Sequence, residues 1–179
     1  MLRLEDSLLL VIDVQEKLAR AMHQRDAVVE NTAKLVQGAV ILGIPIIWTE
    51  QNPKGLGRTL PEIADRLSGS EPITKLSFSC CGEAAFMDRL ESLGKKQVLV
   101  CGLEAHVCVY QTAAELAHRG YEVHIVTDAV DSRTETNKNI GLERSKACGA
   151  ALTSTETALF ELLKVADGDK FKQMLKVVK

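Results

Sequence analysis

Three residues of this chain combine the types that nucleophilic chemistry needs. Cys108 sits where the irregular turn Gly102–Cys108 feeds the first turn of an apolar-faced helix. A thiol there meets the positive end of the helix dipole and free backbone N–H groups, which both favour the thiolate. The same N–H groups can stabilise an oxyanion. The competing reading is a packed core thiol, because free cysteine is among the most buried residue types. Asp13 closes the apolar run Leu8-Leu9-Leu10-Val11-Ile12. A carboxylate at that position is costly unless it faces a crevice or is paired. It reads either as a general base for a nearby nucleophile or as a cap or ion-pair partner. Lys75 follows Pro72-Ile73-Thr74 and precedes Leu76 and Phe78. It is either a solvated lysine or a partly buried one that needs a carboxylate.

The remaining reactive residues have weaker signals. Cys80-Cys81 is a vicinal pair, with a redox role or two small residues at a helix start as the two readings. Cys101 within a strand and Cys148 near a helix end read as packing, and His106 as a turn residue beside Cys108. Asp128 ends a strand and is expected to cap the following turn. No histidine pairs with another at ligand spacing, so no metal is expected. No Walker loop is present and no GxGxxG follows a strand, so no cofactor is expected either.

The elements that must position these groups alternate along the chain. Leu8–Ile12 reads as a strand buried on both faces, which favours a parallel sheet. Val28, Val29, Thr32, Leu35, Val36, Ala39 and Val40 recur at helical spacing, closed by Gly43 and Pro45. Pro45–Trp48 is the second strand. Residues 51–70 form a long polar loop with a short helix near 61–67, and a loop of that length is usually a lid or binding loop. A helix follows over 83–93, a third strand over 97–103, and a helix from Cys108 to Gly120. A fourth strand covers 121–128, a helix 137–148 and a fifth strand 151–153. Thr153-Ser154-Thr155-Glu156 fits a capping box ahead of the next helix, and a lysine-rich helix over 168–177 ends the chain. The implied fold is a three-layer, Rossmann-like α/β/α domain spanning 1–179, with a mainly parallel sheet of five to six strands. The expected order is 2-1-3-4-5. Ligands bind such sheets at the switch point beyond the strand ends. Here that point lies between strands one and three, where Asp13 and the Gly102–Cys108 turn converge.

Composition narrows the function classes. The chain has 179 residues, 46% hydrophobic and 26% charged, which is ordinary for a globular domain. A net charge of −2 and 4% aromatic residues argue against nucleic acid as a partner. No apolar run approaches the ~20 residues of a membrane span. The first run is too short for a signal-peptide core. Five cysteines, odd in number and irregularly spaced, read as reduced thiols in the cytoplasm.

At this point the motifs themselves become informative. Val11-Ile12-Asp13-Val14-Gln15, then Lys75 with Phe78, then Gly102-Leu103-Glu104-Ala105-His106-Val107-Cys108-Val109 with Thr112-Ala113, resemble the isochorismatase-like cysteine hydrolase superfamily. Gly120-Tyr121-Glu122-Val123 and Thr127-Asp128-Ala129 continue the match, which runs from residue 5 to residue 165. The loop Thr49–Gly57 looks most similar to the isochorismatase-domain-containing subgroup.

The resemblance implies a catalytic triad of Asp13, Lys75 and Cys108. It also implies a non-proline cis peptide between Leu103 and Glu104, with the Glu104 and Cys108 N–H groups as the oxyanion hole. The implied reaction is hydrolysis of a small amide or related C–N bond through an acyl-enzyme on Cys108, with Asp13 as base and Lys75 stabilising charge. A small-molecule substrate and a homo-oligomer are implied too. The Asp131-Ser132-Arg133 turn and the tail helix are the contact surfaces to expect. Gln15, Trp48, Gln51 and Phe78 are the expected pocket lining. Nicotinamidases of the superfamily hold a metal with an aspartate and histidines, whereas the corresponding loop here offers Glu50 and Gln51. The alternatives to an enzyme are a catalytically silent scaffold of the same fold and a phosphoacceptor receiver. A receiver needs an acidic cluster beside Asp13, which the sequence does not supply.

Overall fold

A computed structural model describes residues 1–67 and 69–179. Its centre is a six-stranded parallel sheet. In chain order the strands are β1 (Ser7–Ile12), β2 (Ile46–Gln51), β3 (Ile73–Lys75), β4 (Gln97–Leu103), β5 (Glu122–Asp131) and β6 (Ala151–Thr153). Their order across the sheet is β3-β2-β1-β4-β5-β6. The five expected strands keep their expected order. The added strand, β3, lies at the edge and holds three residues with a single apolar side chain. It is too short to carry a strand pattern of its own.

Every residue of β1 and β4 is buried, as central parallel strands require. Leu9, Val11, Leu99, Cys101 and Val126 point to one face. In chain order the first helices are α1 (Glu16–Arg20), α2 (Arg25–Leu42), α3 (Pro53–Leu56) and α4 (Pro61–Ala64), and these strand residues meet α2 together with α8 (Thr155–Leu163) and α9 (Gly168–Val178). Leu8, Leu10, Ile12, Val98 and Val100 point to the other face. They pack on α5 (Ala84–Ser92) and α6 (Tyr110–His118), with α7 (Glu135–Ala147) alongside.

Several local expectations shift. The α8 cap is Ser154, whose Oγ accepts the Thr157 N–H at 3.3 Å, one residue later than the box predicted. β5 runs on to Asp131, so Asp128 lies inside the strand. Its Oδ1 accepts the Thr155 N–H at 2.8 Å and caps α8 instead of the next turn. Cys148 follows α7 and is exposed, not packed, because the chain leaves the core at the helix end. Asp131 and Ser132 are buried within the chain, and Met174 and Val177 of α9 are already covered by it. Among the proposed contact residues, the turn therefore has only Arg133 to offer a partner, and α9 only its polar face.

Candidate active site

The site forms at the C-terminal ends of β1, β2, β3 and β4. Asp13 follows β1 directly, in the left-handed region at φ 52°. Thr49, paired with Ile12 across β1 and β2, donates from Oγ1 to Asp13 Oδ1 at 2.7 Å. Lys75 ends β3 opposite Gln51, and its Nζ lies 2.7 Å from Asp13 Oδ2. Both side chains of this pair are 0% exposed, so the solvated reading of Lys75 fails. An isolated charge at this depth is too costly, and the carboxylate is what makes the ammonium tolerable.

The alignment of the pair decides what it can do. An ammonium has three donors. Lys75 Nζ donates to Gln51 Oε1 at 2.7 Å, Phe78 O at 3.0 Å and Ser77 O at 3.2 Å. Asp13 Oδ2 completes the surroundings of the ammonium at 2.7 Å, and the Cys108 thiol lies within hydrogen-bonding reach of the same carboxylate. A buried carboxylate beside a thiol is placed to accept its proton.

Cys108 lies in a π-helical turn, Ala105–Val109, that precedes α6. Its thiol faces both Asp13 and Lys75, and the residue is 6% exposed. Burial pushes the thiol up to about 12; Asp13 adds to this and Lys75 opposes it. The resting thiol is therefore neutral. Desolvation and the adjacent carboxylate disfavour the thiolate that a helix end would favour. Burial would lower Lys75, but the Asp13 carboxylate, the first of the opposing charges, holds it above its ordinary value. The Leu103–Glu104 peptide is cis. Just before it, Gly102 has φ 118°, and a Cβ there would lie 2.0 Å from Ile12 O. Only glycine lets β4 approach β1 this closely beside Asp13.

The expected pocket residues divide. Gln51 sits at the site and touches Lys75. Phe78 lends its carbonyl to Lys75, while its ring is exposed. Gln15 is fully buried, and its amide is spent on backbone: it donates to Gln51 O at 3.0 Å and Gly57 O at 2.7 Å, and accepts from Gln51 N at 2.8 Å. It is a clamp. Trp48 donates to Ser70 Oγ at 3.0 Å and lines a cavity of about 350 Å³ with Ile73 and Arg89, and this cavity does not include the three central residues. The loop expected to be a lid is pinned at its middle. Glu16 N–H donates to Arg58 O, Leu60 N–H to Val14 O, and Glu50 Oε1 accepts from both the N–H and the hydroxyl of Thr59.

Thr49 and Cys80 are the neighbours that sequence reasoning missed. Cys80 is buried and pushed up to about 12 by burial and by Asp13, with Thr112 and Thr49 beside its thiol. Thr49 opens the Thr49–Gly57 loop and Cys80 belongs to the vicinal pair, but neither pattern places its residue beside Asp13. His106 reaches Ser132 Oγ at 2.9 Å, and Arg133 pairs with Glu104 at 2.9 Å. Among the described residues no three of His, Cys, Asp or Glu cluster as metal ligands, and no helix is long and apolar enough to cross a membrane.

A sequence model described as Isochorismatase domain matches residues 7–157. The chain belongs to this family. It is 44% identical over 173 residues to isochorismatase domain-containing protein 2 of Danio rerio, covering 96% of this chain and 86% of that one. A solved structure named MAR1 ribonuclease from Caenorhabditis elegans superposes with a TM-score of 0.92 at 38% identity, covering 99% of this chain and 91% of that one. The YcaC protein of Escherichia coli, described as an octameric hydrolase of unknown specificity, shares the fold. Its TM-score is 0.93 at 23% identity, over 98% and 88% of the two chains.

Proposed function

We propose that the chain, as one domain, is a cysteine hydrolase that cleaves a small amide or related C–N bond. The observation that carries this reading is the buried Asp13 carboxylate, paired with Lys75 at 2.7 Å, beside a neutral, buried thiol. The Asp13 carboxylate takes the proton from Cys108 Sγ as the sulfur attacks the carbonyl carbon. The C=O pair moves onto oxygen, which the Glu104 and Cys108 N–H groups receive. Collapse expels the amine, which leaves with the proton held on Asp13. Water, deprotonated by Asp13, then attacks the thioester. The acid departs and the thiol regains its proton. Lys75, charged throughout, balances the negative charge that moves between carboxylate and sulfur.

A silent scaffold draws on one observation, the 6% exposure of the Cys108 residue, which leaves a narrow approach. A panel of small amides with ammonia detection decides between the two. Turnover lost in Cys108→Ala supports the hydrolase; no turnover of any amide, or turnover undiminished by that substitution, refutes it. RNA belongs in the same panel, because the C. elegans structure is named for a ribonuclease. RNA cleavage independent of Cys108 would also refute it.

Two further expectations belong to this reading. Leu76 and Phe78, beside Lys75, are 75% and 56% exposed. Apolar side chains so placed support a homo-oligomer whose contacts flank the site, in keeping with the octamer described for YcaC. Light scattering at micromolar concentration tests it. The unpaired cysteines support a reducing, cytoplasmic compartment.

A further inference from the structure

Helix α7 lies against the backbone of the turn that carries Cys108. Gly141, in the middle of α7, is buried at that contact. A Cβ added there would lie 2.5 Å from the carbonyl carbon and oxygen of Ala105 and 2.6 Å from His106 N. These are backbone atoms, so no side chain can swing aside. Gly141 itself has ordinary helical backbone, and alanine is the better helix former. Glycine is needed here for the close approach alone. One turn further along, Arg144 Nη2 donates to Tyr110 Oη at 2.7 Å, and its guanidinium stacks 4.6 Å from the Tyr110 ring centre. Ala105 opens the turn and Tyr110 follows it, with Cys108 between. α7 thus grips the nucleophile turn at both ends.

We infer that Gly141 is a positioning residue that sets the seat of Cys108 against Asp13 and Lys75. The inference rests on the reading of Cys108 as nucleophile. Relieving a 2.5 Å contact to an ordinary 3.4 Å moves the turn or the helix by 0.9 Å. A misplacement of about 1 Å costs on the order of 10²-fold in reactions that depend on alignment.

The test compares Gly141→Ala with Gly38→Ala. The three atoms nearest to a Cβ at Gly38 all belong to the side chain of Leu159, across the sheet from the site. Peptide-resolved alkylation by iodoacetamide at pH 8 reads the Cys108 rate, with added free glutathione as the reference thiol. Gly141→Ala is expected to slow Cys108 relative to that thiol by roughly 10- to 100-fold, while Gly38→Ala leaves the ratio unchanged. Arg144→Met adds no bulk and keeps the test open should Gly141→Ala fail to fold; it is expected to slow Cys108 severalfold. On any amide that is turned over, kcat should fall with KM held. An unchanged or faster Cys108 ratio in Gly141→Ala and Arg144→Met, or equal slowing in Gly38→Ala, overturns the inference. Absence of any amide turnover in the wild type would instead defeat the hydrolase reading and leave the alkylation comparison standing.

Discussion

Replacing Lys75 by methionine tests whether the buried pair is one energetic unit. The two charges sit 2.7 Å apart with neither side chain exposed. At an effective dielectric of about 20 their gross attraction is roughly 6 kcal/mol, most of it offset by the cost of taking both ions out of water. Removing one partner leaves that cost without the attraction. Lys75→Met strands the Asp13 carboxylate and leaves Gln51 Oε1 and the Ser77 and Phe78 carbonyls without their donor. A loss of about 3–5 kcal/mol follows, which lowers the melting temperature by roughly 6–20 °C for a chain of this length. Asp13→Asn strands the ammonium and should cost a similar amount. The double variant holds no buried charge, so its loss should be smaller than the sum of the singles by at least ~2 kcal/mol. Urea denaturation of the four proteins at pH 7.5 measures the cycle. Losses that add to within about 0.5 kcal/mol would refute the coupled pair.

Alkaline pH and native labelling offer two further checks. Burial raises Cys80, Cys101 and Cys108 from 9.0 to about 12. Unfolded thiols release protons from pH 9 upward while folded ones keep them, so the unfolded state binds fewer protons and stability falls as pH rises from 9 toward 12. The slope reaches ~1.4 kcal/mol per pH unit per thiol, or ~4 for the three. Urea midpoints at pH 8, 9 and 10 should show it, and Cys101→Ala should flatten it by one thiol's share; an unchanged slope in that variant would count against buried ionisation as the cause. In native labelling at neutral pH, Cys148 should react first and Cys108 second, with Cys80 and Cys101 following only global unfolding. Native labelling of Cys80 at the rate of Cys148 would contradict its burial.

Alternating strand and helix patterns, the apolar runs of β1 and β4 and the motifs around Asp13, Lys75 and Cys108 were legible in the residues themselves. Each depends on local periodicity or on residue type, which a linear chain displays. β3 was not legible, because three residues carry no period and that strand exists only by pairing with β2. The fate of Lys75 was equally hidden, since whether a lysine is solvated or buried depends on what closes over it. Here Asp13 and Gln51 do so, 62 and 24 positions earlier in the chain. Gln15 shows the same division: its type suggested a pocket group, while the packed loop turned its amide into a backbone clamp. The protonation state of Cys108, open between thiol and thiolate from the residues alone, was hidden for a related reason. The helix-end argument is local and favours ionisation, but desolvation is set by everything packed around the sulfur, and burial wins. Sequence determined which groups meet at the sheet's switch point. Tertiary structure alone decided their distances, their burial and so their charge, because those quantities arise between segments that the chain brings together only on folding.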